Sequence, residues 1–170
     1  MLQRTKAEQV EPVFREFVKK YDEPQAYLDD REANTFSNLG LPQRDSQFRL
    51  LNSAIILHGI PENKADLIQL PGIGDYIASA FLSLHMGIRA PLIDSNFVRV
   101  YGKFFGFETN PETRRKKWLK ELAEAVTPKR RHREYNYALI DFSREICKPR
   151  PNCESCVIRR KCHYLYGARE

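Results

Sequence analysis

Four cysteines, the only four in the chain, fall in one short segment near its end: Cys147, Cys153, Cys156 and Cys162 in CKPRPNCESCVIRRKC, spaced C-x5-C-x2-C-x5-C. Thiolates are soft ligands, and four clustered this tightly can surround one metal centre. Such a set takes zinc as a tetrahedral ion or iron as an iron–sulfur cluster, and the spacing leaves both open. His163 adjoins Cys162 and reads as a surface histidine rather than a ligand. Clustered cysteines of this kind point to a reducing compartment, where thiols bind metal more often than they pair as disulfides. A second feature lies in LIQLPGIGDYIASA, where Gly72 and Gly74 bracket a tight turn after Pro71 and a helix starts at Asp75. Glycines there allow positive φ and expose backbone N–H groups that can bind a phosphate without reading a base. Taken alone, the turn is equally a steric device between two helices. A third is Asp94 in PLIDSNFV, which on its own residues reads first as the N-cap of a helix beginning at Ser95.

These residues sit in a pattern that is helical nearly throughout. Val10, Val13, Phe14, Phe17, Val18 and Tyr21 recur at helical spacing, as do Phe48, Leu51, Ala54 and Ile55, then Ile77, Ala80, Phe81 and Leu84. Phe97, Val100, Tyr101 and Phe104 make a further face. Asn110-Pro111-Glu112 reads as a helix start whose helix buries Trp118 or Leu119, Leu122 and Val126. Tyr135, Ala138, Leu139, Phe142 and Ile146 form the last long helix, which delivers Cys147. The expected class is all-α. With 170 residues and 42% hydrophobic content the chain can bury a core, and no apolar run is long enough to span a membrane. The opening LQRTKAEQ is polar rather than an apolar leader, so the expected location is cytoplasmic.

Charge is unevenly spread. Residues 1–110 carry 12 Lys and Arg against 14 Asp and Glu, and residues 111–170 carry 16 against 8. The basic residues run in RRKK (Arg114 to Lys117), KRRHR (Lys129 to Arg133) and Arg159-Arg160-Lys161. A one-sided positive field suits a polyanion such as nucleic acid. Charge and helix register both change near residues 106–111. Two lobes are therefore expected: 1–108 with the Gly-rich turn and Asp94, and 109–170 ending in the cysteine loop.

LPGIGDYIASA, then LIDSNFVRVYGKFFG, then ALIDFSREIC running into the cysteines, together resemble the helix-hairpin-helix DNA glycosylases, the relatives of endonuclease III and the MutY adenine glycosylase. Motif order and separations match from Met1 to about Tyr164. The resemblance implies a helix-hairpin-helix glycosylase fold with a barrel-like helical lobe and an iron–sulfur lobe. It implies that Asp94 is the catalytic carboxylate, stabilising positive charge on the sugar as the bond to the base breaks. Lyase-competent members carry a lysine two residues after the last hairpin glycine; this chain has Tyr76 there, and a phenol cannot form the Schiff base. The adenine branch usually has serine at this place. Tyrosine is similar to the branch that removes thymine or uracil opposite guanine, so the expectation is a monofunctional glycosylase of that branch. Its partner would be double-stranded DNA holding a mismatched or damaged base, flipped out of the stack.

By the same resemblance Gln3 and Leu41 fill the gap left by the flipped base, and Gly72 and Gly74 grip the backbone. Lys148 and Arg150 reach phosphates from the cysteine loop. The resemblance also favours [4Fe–4S] over zinc, in a structural role. Two departures stand out. The family's first cysteine loop holds six residues, whereas KPRPN holds five. A helical segment precedes the LQRT motif in the family, whereas Met1 lies inside it here. That leads to the expectation of an upstream start, a partner chain supplying the helix, or a shortened core in an otherwise monomeric protein. The alternatives in function are an adenine-specific glycosylase and a truncated, non-catalytic DNA-binding module.

Overall fold

The computed structural model describes Thr5 and residues 7–167, and among these every regular element is helical. The helices are α1 (Ala7–Lys20), α2 (Pro24–Asp29), α3 (Gln43–His58), α4 (Lys64–Leu67), α5 (Asp75–Ala80), α6 (Ser95–Phe105), α7 (Lys117–Val126), α8 (His132–Glu145) and α9 (His163–Tyr166). No described helix is long and apolar enough to cross a membrane. The chain divides into two compact units, which meet in sequence between Gly74 and Asp75. The division expected at residue 108 lies inside the second unit, where α6 packs against α8 and α9.

The first unit is built on rings. Tyr27 is 1% exposed and meets Phe48 edge-on at 4.8 Å and Tyr21 at 4.9 Å, while Phe36 meets Phe48 at 5.3 Å. Edge-to-face pairs of this kind add to the burial of the rings themselves. Two charged side chains of α3 organise the loops around them. Arg49 donates to the carbonyls of Tyr27, Leu28 and Asp30, the acceptors left open where α2 ends. Asp45 accepts from the Tyr27 hydroxyl at 2.9 Å, from the amides of Phe36 and Ser37 at 3.0 Å and from the Ser37 hydroxyl at 2.9 Å. Burial first, and then the Asp45 carboxylate, raises the Tyr27 phenol above its usual range.

The second unit has an aliphatic and aromatic core of Leu84, Leu92, Phe97, Val98, Val100, Tyr101, Leu119, Ala123 and Leu139. One helix boundary differs from the sequence expectation. Asn110 does cap a turn, its Oδ1 accepting from the amides of Glu112 and Thr113, but that turn is a 3-10 segment, Thr113–Arg115. The helix proper restarts at Lys117 because Lys116 is extended, with ψ 137°. The restart decides which neighbour is buried: Leu119 is 0% exposed, whereas Trp118 is 45% exposed and lies edge-on to Phe107 at 4.8 Å. Before the hairpin, α4 stops at Leu67, with turns through to Leu70. Beyond α5 the chain widens into a π-helix, Phe81–His85, that buries Ser83. There Asn136 donates to the Ser83 hydroxyl at 2.7 Å and to the Ala90 carbonyl at 3.0 Å.

Leu119→Ala is expected to cost about 2–5 kcal/mol, the range for an aliphatic side chain removed from a packed core. Trp118→Ala, at a half-open position, is expected to cost clearly less despite the larger side chain. Equal losses in urea unfolding would place the core of α7 elsewhere.

Candidate active site and four-cysteine centre

Asp94 is held by the start of α6. The buried Leu92 anchors the segment before it, and Asp94 is the N-cap, in extended conformation at φ −124°. Its Oδ1 accepts from the amides of Asn96 and Phe97, both at 2.8 Å, and its Oδ2 accepts from the Asn96 side-chain amide at 2.9 Å. Three donors from one helical turn thus fix a half-buried carboxylate in a single orientation. The N-cap reading of the sequence is correct, and it is compatible with a second role, because a cap of this kind immobilises the group.

Tyr76 stands in the first turn of α5 and is 38% exposed. Its phenol is raised above the usual range, chiefly by burial and then by the negative charge of Asp94. Asp94 therefore acts electrostatically on Tyr76, a residue 18 positions earlier in the sequence. Asp75, beside it, pairs with Lys120 of α7 at 3.2 Å.

Sequence reasoning missed two residues that tie this site to the cysteines. Arg99, one turn into α6, donates from Nη1 to Asn96 Oδ1 at 2.8 Å, from Nη2 to the Ser143 carbonyl at 2.9 Å and from Nε to the Cys147 carbonyl at 3.0 Å. The last two are carbonyls at the end of α8, which need donors from outside the helix. Lys103, one turn further, donates to the carbonyls of Lys148 and Pro149, both at 2.9 Å, and lies 5.0 Å from the centre of the Tyr164 ring. A signal was present: Arg99 and Lys103 are two cations four residues apart on the otherwise apolar helix SNFVRVYGKFF.

The four cysteines all line one cavity, walled by Val100 and Phe104 of α6, Phe142 of α8 and Tyr164 of α9. All four are half-buried free thiols. Among the described residues no three His, Cys, Asp or Glu side chains converge as they would on a single ion. Burial raises the Cys147 thiol, while Lys103 and Arg99 pull it the other way. Lys148 and Arg150 are exposed on the first cysteine loop, and His163 is exposed as expected. Leu41, half-buried, and the hairpin glycines belong to the first unit; Gly72 takes φ +77°, as the turn requires, while Gly74 does not have positive φ. Gln3 lies outside the described residues.

No family model matches the chain. It is 35% identical over 172 residues to the thymine/uracil-DNA glycosylase of Methanothermobacter thermautotrophicus, covering 96% of this chain and 78% of that protein. The chain belongs to the thymine/uracil-DNA glycosylase family. It is also 33% identical to the thymine-DNA glycosylase of Aeropyrum pernix, over 96% of this chain and 78% of the relative. The solved structure of a thermostable thymine-DNA glycosylase superimposes with a TM-score of 0.89 at 34% identity, covering 96% of this chain and 79% of that one. The helix-hairpin-helix glycosylase fold expected from LPGIGDYIASA is therefore the fold of this glycosylase-family chain.

The cap geometry makes a separable prediction. Asparagine caps helices as well as aspartate does, so Asp94→Asn should unfold within about 0.5 kcal/mol of the wild type, whereas Asp94→Ala should lose about 0.5–2 kcal/mol. Thermal unfolding of the two variants checks this; a large loss in Asp94→Asn would mean that the carboxylate charge, not the cap, holds the segment.

Proposed function

We propose that this chain is a monofunctional DNA N-glycosylase that releases thymine or uracil mispaired with guanine and leaves an abasic site. The observation that carries the reading is the pairing of a three-times hydrogen-bonded carboxylate, Asp94, with Tyr76 where a lyase would place its lysine. Breaking the bond between C1′ and N1 of a pyrimidine leaves the electron pair on the base and positive charge on the sugar. A carboxylate that cannot rotate away stabilises that charge and orients the water that adds to C1′. The water's hydroxyl stays on the sugar, and its proton is passed on, so the products are a free base and an abasic nucleotide. Tyr76 offers no amine, so the sugar forms no imine and the strand stays whole.

DNA contacts follow in the same reading. The base must leave the stack, and Leu41, with Gln3, fills the gap it leaves. Backbone amides at Gly72 and Gly74 take a phosphate, and Lys148 and Arg150 take others. Cys147, Cys153, Cys156 and Cys162, which line one cavity, hold a [4Fe–4S] cluster rather than zinc, as the resemblance of the whole chain to the cluster-bearing glycosylases favours. When bound, the cluster cross-links the end of α8 to the loop through Cys162 and takes no part in the bond-breaking. The protein works as a monomer in a reducing compartment, associated with the nucleoid.

Duplexes holding T:G, U:G, A:G and A:8-oxoguanine pairs, each incubated and then treated with alkali, test the reaction. Cleavage of the T:G and U:G strands only after alkali is expected, and Asp94→Asn should slow base release by about 10²–10⁴-fold. Strand breaks without alkali would contradict the role given to Tyr76. Release of adenine alone would assign the other branch, and binding with no release from any duplex would leave a DNA-binding module.

The cofactor has its own readout. Protein purified without air should be brown with broad visible absorbance, and Cys153→Ser should lose that colour. A colourless protein with one zinc per chain would exclude the cluster.

A further inference from the structure

The first turn of α3 lies against the hairpin turn, and both belong to the first unit. A Cβ on Gly72 would sit 3.5 Å from Gln47 Oε1 and 3.7 Å from Arg44 Nη1, which places both side chains beside the turn, and the turn's φ of +77° is what calls for glycine there. Arg44 Nη1 donates to Gln47 Oε1 at 2.9 Å, which restrains one edge of the guanidinium. The Arg44 amide donates to the Leu41 carbonyl at 2.9 Å, and the Leu41 amide donates to the Phe36 carbonyl at 2.9 Å. Asp45, the next residue, anchors the same loop through the amides of Phe36 and Ser37. One rigid turn of α3 thus carries the loop of Leu41 on one side and an oriented cation beside the hairpin on the other.

We propose that Arg44, aligned by Gln47, is the charged arm of a DNA-phosphate clamp whose other jaw is the hairpin backbone at Gly72. A planar guanidinium beside backbone amides matches the oxygens of a phosphodiester, and an arginine fork can hold two of them at once. The clamp supplies the positive charge that glycines lack. It lies in a unit, residues 1–74, that carries 9 Lys and Arg against 11 Asp and Glu, so the cation there is placed rather than part of a general basic surface. Because Arg44 and Leu41 are three residues apart on one braced turn, gripping the phosphate also sets the depth to which Leu41 enters the stack.

The proposal rests on the DNA reading, and the experiment separates the two. Labelled T:G and fully paired duplexes are titrated with wild type, Arg44→Met, Arg44→Lys and Gln47→Ala over a salt series, with thermal midpoints measured alongside. Arg44→Met is expected to lower the slope of log K against log[salt] by about 0.9 on both duplexes, the value for one lost phosphate contact. Arg44→Lys should keep the slope and lose affinity, since a point charge replaces the fork, and Gln47→Ala should lose affinity with the slope kept. An unchanged slope in Arg44→Met overturns the clamp while leaving the DNA reading intact. A wild type that binds neither duplex overturns both. If Arg44→Met has a lowered midpoint, Arg44→Lys decides: slope and midpoint both retained support the clamp, and affinity equal to wild type overturns it.

Discussion

The chemistry of the second unit depends on one guanidinium. Arg99 bonds Asn96, which bonds Asp94, and the same fork closes the carbonyl end of α8 at Ser143 and Cys147. Each partner is a group that would otherwise have to find a donor elsewhere. α8 ends with the Ile146 amide on the Phe142 carbonyl, and the turn that follows must point Cys147 into the cavity. A planar fork with several donors can serve a side-chain amide and two carbonyls at once; a lysine has the charge but not the geometry. The orientation of the acid and the placement of the first cysteine are therefore consequences of the same side chain. The neighbouring cation Lys103 repeats the device one turn later, binding two successive carbonyls of the cysteine loop.

That second bond gives the short first loop a physical account. KPRPN has five residues, two of them prolines, which lack an N–H and fix φ near −65°. A loop with few backbone donors can still be ordered if its carbonyls are held, and Lys103 holds those of Lys148 and Pro149. Asn152 then donates its amide to the Ile146 carbonyl at 2.9 Å, closing the loop on the end of α8. The side chains of Lys148 and Arg150 are left outward on a backbone fixed from below.

Much of this was readable in the residues, and the exceptions share a cause. Asp94 as a cap, the positive φ at Gly72 and the gathering of the four cysteines around one cavity follow from local chemistry that a short segment contains in full. The restart of α7 at Lys117 was not readable, because Asn110-Pro111-Glu112 is a sound helix start and nothing local says that the helix breaks after one turn. The break is settled by packing: Leu119 is fully buried and Trp118 is not, and a helix continuous from Pro111 would set its own register. Phe14 and Val18 share an apolar face with Val10 by spacing, yet they are 51% and 48% exposed while Val10 is 7% exposed. Periodicity identifies an apolar face; it does not say how much of that face a neighbour covers. Arg99 escaped because a lone arginine on a helix usually belongs to solvent, and its partners lie 44 to 48 residues away.

The basic third of the chain remains available to a polyanion even though Arg115, Lys117, Lys120 and Arg131 pair with acids. Arg115 pairs with Glu112 at 2.9 Å, Lys117 with Glu121 at 3.8 Å and Arg131 with Glu134 at 3.6 Å, all with more than half of each side chain exposed. Pairs in that setting contribute little and are screened by salt. A phosphate that approaches such an arginine competes with a weak partner, and the net excess of 16 basic over 8 acidic residues in residues 111–170 governs attraction rather than the number of pairs. Asp75 is the instructive case. It places an acid directly after the glycines of the hairpin, where a phosphate would be repelled, and Lys120 reaches from α7 to neutralise it. With about half of each side chain exposed, the pair contributes little to holding α5 and α7 together, and its main effect is to offset the negative charge of Asp75.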